Sequence, residues 1–241
     1  MSEPRMATHE WLVEATVKDL QAKMSNGETT SRDIVKAYME RIALYDKRGP
    51  ALNSILELNP EALFIAEALD IERAKKGPRS PLHGIPVLLK DNIDTKDMMH
   101  TSAGSLALAN SYAPEDSFIA KKLRDAGAVI LGKANMTEWA NFMTDHMPNG
   151  YSSRGGQVLN PYGPGVFDVG GSSSGPGAAV AANLTMVAVG TETSGSILNP
   201  ACNNSIVGIK PTVGLVSRRG VIPISHVQDT AGSMARTVED A

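Results

Sequence analysis

Apolar residues recur at helical spacing through the first third of the chain and in short unbroken runs after it. Residues 17–24 form one helical stretch, stopped by Asn26-Gly27. A second runs over 32–46 with Ser31 as its N-cap, and Ile34, Val35, Tyr38, Met39 and Ile42 share one face of it. Asn59 and Pro60 open a third helix as N-cap and first helical residue. Ala62, Ile65, Ala66 and Leu69 give its buried stripe, and Gly77-Pro78 ends it. Beyond Pro86 the pattern changes. Val87-Leu88-Leu89 and residues 128–131 are unbroken apolar runs of the kind found in strands buried on both faces. A helix is expected over 117–126, another over 174–182, and strands over 185–189 and 206–209. Strands alternating with helices predict an α/β fold, a sheet with helices on both faces.

Charge follows the same division. Of the 49 charged residues, 39 lie in 1–147, where they coat the outer faces of the helices. With 23 Lys+Arg against 26 Asp+Glu, the net charge of −3 argues against a nucleic-acid or polybasic membrane surface. A chain of 241 residues that is 42% hydrophobic can bury a full core. Cys202, the one cysteine, excludes an intrachain disulfide or a cysteine zinc site, and it reads as a small buried residue. The five histidines, His9, His83, His100, His146 and His226, show no metal-ligand spacing, so no metal or cofactor is implied. Residues 1–12 contain Glu3, Arg5 and Glu10 without an apolar core, so no signal peptide is expected. The most apolar stretch, 177–190, is broken by Asn183 and Thr185 and is too short to span a bilayer. The expectation is a soluble cytoplasmic protein.

Glycine is distributed the other way: 14 of the 22 glycines fall between 150 and 220. Apolar runs separate them, so the segment reads as a packed core interrupted by tight turns, a costly arrangement that often marks a site. Gly170-Gly171-Ser172-Ser173-Ser174-Gly175 lacks the lysine of a Walker loop, and no glycine or alanine completes a dinucleotide fingerprint at Val180. Gly171-x-Ser173-x-Gly175 does match the nucleophile elbow of esterases and lipases, with Glu192 and His226 following in the required order.

A further reading uses more of the chain. Gly84-Ile85-Pro86-Val87-Leu88-Leu89-Lys90-Asp91-Asn92, Gly127 to Lys133, Asn160-Pro161, the segment 170–182, Gly190-Thr191-Glu192-Thr193-Ser194-Gly195-Ser196-Ile197 and Gly208-Ile209-Lys210-Pro211 stand in one order. Together they resemble the amidase signature family of serine hydrolases, from about Val17 to the C-terminus. Thr137-Glu138-Trp139-Ala140-Asn141-Phe142 and Ser153-Arg154-Gly155-Gly156-Gln157 look most like bacterial peptide amidases. The resemblance implies an α/β/α sandwich around a mixed sheet, with helices over about 1–80 and a catalytic core over about 81–241. Family enzymes are roughly twice as long, so the chain reads as an N-terminal half whose C-terminal counterpart is absent.

The resemblance also implies a chemistry, hydrolysis of small amides or of peptide C-terminal amides through an acyl-enzyme. Ser196 matches the family nucleophile, Ser172 the bridging serine and Lys90 the base, with the serines 196 − 172 = 24 positions apart. The N–H groups of Thr193, Ser194, Gly195 and Ser196 match the oxyanion hole. The physical logic agrees. A serine hydroxyl needs a base, and a lysine serves when burial lowers its pKa; the apolar run before Lys90 leads into such an interior. Glu192 and Leu198 replace the commoner Asp and Arg, as in peptide-amidase-like members, while Ser194 replaces a Gly and Pro176 a small residue. A truncated, inactive amidase-like module is the alternative reading.

Overall fold

The computed structural model describes residues 9–241, so the reading of residues 1–8 as free of a leader lies outside the described residues. Its helices are α1 (Val17–Ser25), α2 (Ser31–Arg41), α3 (Ala62–Lys76), α4 (Phe118–Asp125), α5 (Ser174–Ala181) and α6 (Leu198–Asn203). Its strands are β1 (Ile55–Leu58), β2 (Pro86–Lys90), β3 (Val129–Ala134), β4 (Tyr151–Ser152), β5 (Gly156–Gln157), β6 (Val187–Glu192), β7 (Val207–Gly208) and β8 (Thr230–Ala235). None of these helices is long and apolar enough to cross a membrane.

α1, α2 and α4 begin where a side chain accepts from a free N–H group. Thr16 and Asp19 form a reciprocal capping box at α1. At α2 the cap is Thr30, which accepts from Asp33 N–H, not the expected Ser31. Ser31 is instead the first helical residue, and its buried hydroxyl donates to the Gly84 carbonyl at 2.8 Å. The run continues past Arg41 as a wider π-type turn, Ile42–Asp46. α3 starts two residues later than expected, because Asn59 is held by β3: its N–H and side-chain amide donate to the Leu131 and Ile130 carbonyls.

The main sheet has six strands in the order β1-β3-β2-β6-β8-β7, and β4 and β5 form a separate hairpin. β2 is parallel to both β3 and β6, whereas β1, β8 and β7 pair antiparallel to their neighbours, so the sheet is mixed. β2, β3 and β6 are buried at every position, so both of their faces are covered. Alternation puts Val87 and Leu89 on one face of β2 and Leu88 and Lys90 on the other. Ile119 and Leu123 of α4 share a cavity with Val87, Val187 and Val189, which places α4 on the first face. α5, apolar all round and buried from Ser174 to Val180, covers the face that carries Lys90. Pro176 lies in its first turn, where no intrahelical acceptor is lost.

Candidate active site

β2 and β6 are adjacent and parallel, pairing Val87 with Val187, Leu88 with Ala188 and Leu89 with Val189. Their carboxyl ends therefore share one sheet edge, the place where ligands bind in open α/β sheets. Lys90 ends β2, and Thr191 and Glu192 end β6. The loop before α5 lies against the same edge. A Cβ on Gly190 would fall 2.7 Å from Ser173 Oγ, so glycine at that strand position lets the loop settle on β6.

Lys90 is fully buried. Its Nζ donates to Ser172 Oγ at 2.8 Å and to the Thr191 carbonyl at 3.2 Å. Burial disfavours the ammonium and lowers the Lys90 pKa from the ordinary 10.5 to about 7, against the opposing pull of the Glu192 and Asp229 charges. Ser172 follows a cis peptide bond from Gly171. Its carbonyl accepts from Thr137 N–H at 3.1 Å, which ties the loop to the end of β3.

Ser196 stands in the turn between β6 and α6, and its carbonyl accepts from Ser173 N–H at 3.1 Å. The structure thus brings Lys90, Ser172 and the Ser196 turn to one edge, with Ser173 linking the two serine-bearing segments. Glu192 shapes that turn: one carboxylate oxygen accepts from Ile197 N–H at 2.7 Å and from Leu198 N–H at 2.9 Å. The four N–H groups between, on Thr193, Ser194, Gly195 and Ser196, donate to no acceptor among the described residues. Gly195 has φ +83°, and a Cβ there would meet nothing closer than Asn199 Cβ at 4.0 Å, so conformation and not crowding calls for glycine. Thr193 Oγ1 donates to Asp229 Oδ1 at 2.5 Å, fastening the turn to the segment before β8.

The nucleophile-elbow reading finds no support. Ser173 is fully buried, and its hydroxyl donates to the Thr191 carbonyl at 3.2 Å. His226 is exposed, and no hydrogen bond joins it to Ser173 among the described residues. Cys202 is exposed, contrary to the expectation of burial, because α6 turns Pro200 and Ala201 inward and Cys202 to solvent. Sequence reasoning missed Thr191, Thr137, Asn92 and Asp229 as members of the site. Their part rests on backbone groups and on contacts 35 to 101 residues apart, which carry no local signal.

The fold is a mixed α/β sheet covered on both faces, and the comparisons place it: the family model described as Amidase matches residues 33–241, and the chain belongs to that family. Among solved structures it is similar to the native peptide amidase of Stenotrophomonas maltophilia, with 56% identity and a TM-score of 0.92 over 95% of this chain and 46% of that one. It is also similar to an amidase family protein from Bacillus anthracis, with 49% identity and a TM-score of 0.94 over 96% of this chain and 46% of that one. A "probable amidase" of Arabidopsis thaliana is 48% identical over 244 residues, covering 100% of this chain and 46% of its own length. The chain spans less than half the length of these relatives. The family and the mixed-sheet fold follow from this agreement.

Proposed function

We propose that the chain hydrolyses the C-terminal amides of peptides or small carboxylic amides, with Ser196 as nucleophile, Ser172 as proton bridge and Lys90 as base. One observation carries this reading: a fully buried lysine, its pKa near 7, in a 2.8 Å hydrogen bond with a serine hydroxyl. With one N–H bonded to the Thr191 carbonyl, the neutral amine keeps its lone pair for Ser172. Lys90 takes the Ser172 proton as Ser172 takes that of Ser196. Ser196 Oγ bonds to the amide carbonyl carbon, and the oxygen becomes an anion facing the free N–H groups of residues 193–196. Such donors are worth about 3–4 kcal/mol each in the transition state. The relay returns the proton to the leaving nitrogen, the C–N bond breaks, and ammonia departs from an acyl-Ser196 ester. Water then enters by the same relay and releases the acid.

The preference for peptide amides is supported by the likeness to a peptide amidase at 56% identity. Ammonia release from an N-acetyl amino-acid amide tests the reading. The native chain should turn over, and Ser196→Ala should not. Equal rates in both would remove Ser196 from the chemistry.

A further inference from the structure

Beside this centre lies a cavity of about 210 Å³, walled mainly by apolar side chains such as Met136, Trp139, Phe142, Ile222 and Ile224. Three hydrogen bonds fasten its walls to the centre. Thr137, next to Met136, donates its N–H to the Ser172 carbonyl at 3.1 Å. Ile224 N–H donates to Asp229 Oδ2 at 2.8 Å, and the other oxygen of Asp229 holds Thr193. Asn92, two residues after Lys90, donates from Nδ2 to Thr191 Oγ1 at 3.0 Å, on the residue whose carbonyl holds Lys90.

Asn92 is the polar point of this wall. It is 3% exposed, yet its Oδ1 has no partner. Its backbone carbonyl is occupied by Ile222 N–H at 2.9 Å, and its Nδ2 by Thr191, so the side chain cannot swing away without breaking the join to the site. A buried carbonyl oxygen left over in this way, in an apolar cavity next to a reactive centre, is a place for a donor brought by a ligand.

We propose that Asn92 Oδ1 accepts the backbone N–H of the substrate residue that bears the scissile amide, while the cavity takes that residue's apolar side chain. In an N-acylated amino-acid amide this N–H lies two bonds from the carbonyl carbon that Ser196 attacks, so one residue presents all three groups to neighbouring parts of the site. Simple aliphatic amides bring no such donor and leave Oδ1 unpaired. Asn92 is thus a specificity-determining residue for amides of N-acylated apolar amino acids. The inference rests on the hydrolase reading above.

Binding to the Ser196→Ala chain, which holds ligand without turnover, tests it by calorimetry. The probes are N-acetyl-leucinamide and its analogue methylated on the acetylated nitrogen. Methylation should weaken binding about tenfold. With Asn92→Ala added, the two probes should bind within about twofold of each other. Asn92→Asp, which keeps an acceptor oxygen, should restore the preference if the alanine variant proves poorly folded. An equal methylation penalty with and without Asn92, or no binding of either probe, overturns the assignment. Ammonia release by the native chain is read separately. Turnover without discrimination between the probes sinks the Asn92 proposal alone, and absence of turnover on any amide sinks the hydrolase reading.

Discussion

Lys90 is placed where a charge is costly. Its folded-state pKa of about 7 lies below the unfolded value near 10.5, so between these values the unfolded chain holds the extra proton. The contribution of this group to stability therefore rises with pH from about 7 to 10.5 and is most unfavourable below 7. Lys90→Met should stabilise the chain at pH 7 by about 1–4 kcal/mol and flatten its pH dependence in that range, read from urea midpoints. The same change should reduce amide turnover by roughly 10²–10⁴-fold, as removal of a general base does. In the native chain kcat/KM should rise with pH and level off above about 7, as the amine loses its proton. A flat profile from pH 5 to 9 would contradict a lysine base. Lys90, Ser172 and Ser196 stood out as candidates in the sequence because they sit in long blocks of ordered text, and folding joins Lys90 to Ser172. The partners that hold them did not stand out. Thr191 acts through its carbonyl, and Asn92 through an amide N–H that donates to Thr191 Oγ1 from 99 residues away.

At the scale of elements, the site depends on how closely α5 approaches the end of β3. A Cβ on Gly175 would stand 2.2 Å from the Asn135 carbonyl oxygen and 2.4 Å from that of Ser54, both backbone atoms. Gly175→Ala should therefore shift α5 and the preceding serine loop, lowering stability by roughly 1–3 kcal/mol and weakening turnover with it. An unchanged urea midpoint would show that the helix has slack. The elements legible in the sequence were those with strong apolar runs, β2, β3 and β6, and the long amphipathic helices. β8 was not legible, since Thr-Ala-Gly-Ser-Met-Ala has little strand preference; it is a strand because all six residues pair with β6. That pairing also carries β6 on through Glu192, beyond the end at 189 that hydrophobicity alone suggested. β1, interrupted by Glu57, was hidden within a stretch that otherwise reads as helices. α6, with Pro200 and two asparagines, owes its first turn to the Glu192 carboxylate.

Across the whole molecule, a second set of buried and half-buried charges binds distant segments together. Arg154, between β4 and β5, donates to Glu57 of β1 at 2.8 Å and to Ser102 Oγ at 3.0 Å. Asp91, next to Lys90, accepts from the Ser102 hydroxyl and from Gly104 N–H. Lys133 of β3, fully buried, donates to Thr101 Oγ1 at 3.0 Å. Burial lowers the Lys133 pKa and raises that of Asp91, while each opposes the shift of the other. Arg154→Ala should cost roughly 1–3 kcal/mol, because it leaves Glu57 and Asp91 without that guanidinium, and the loss should appear in the urea midpoint. The division of charge between the two parts of the sequence gave no hint of this network, whose members are far apart in the chain. The proposed chemistry turns on Ser196. Treating the folded native chain with a fluorophosphonate and mapping the modified peptide tests it directly. The label should sit on Ser196 and should disappear in Lys90→Ala, whereas a label on another serine, or none on folded protein, would contradict it.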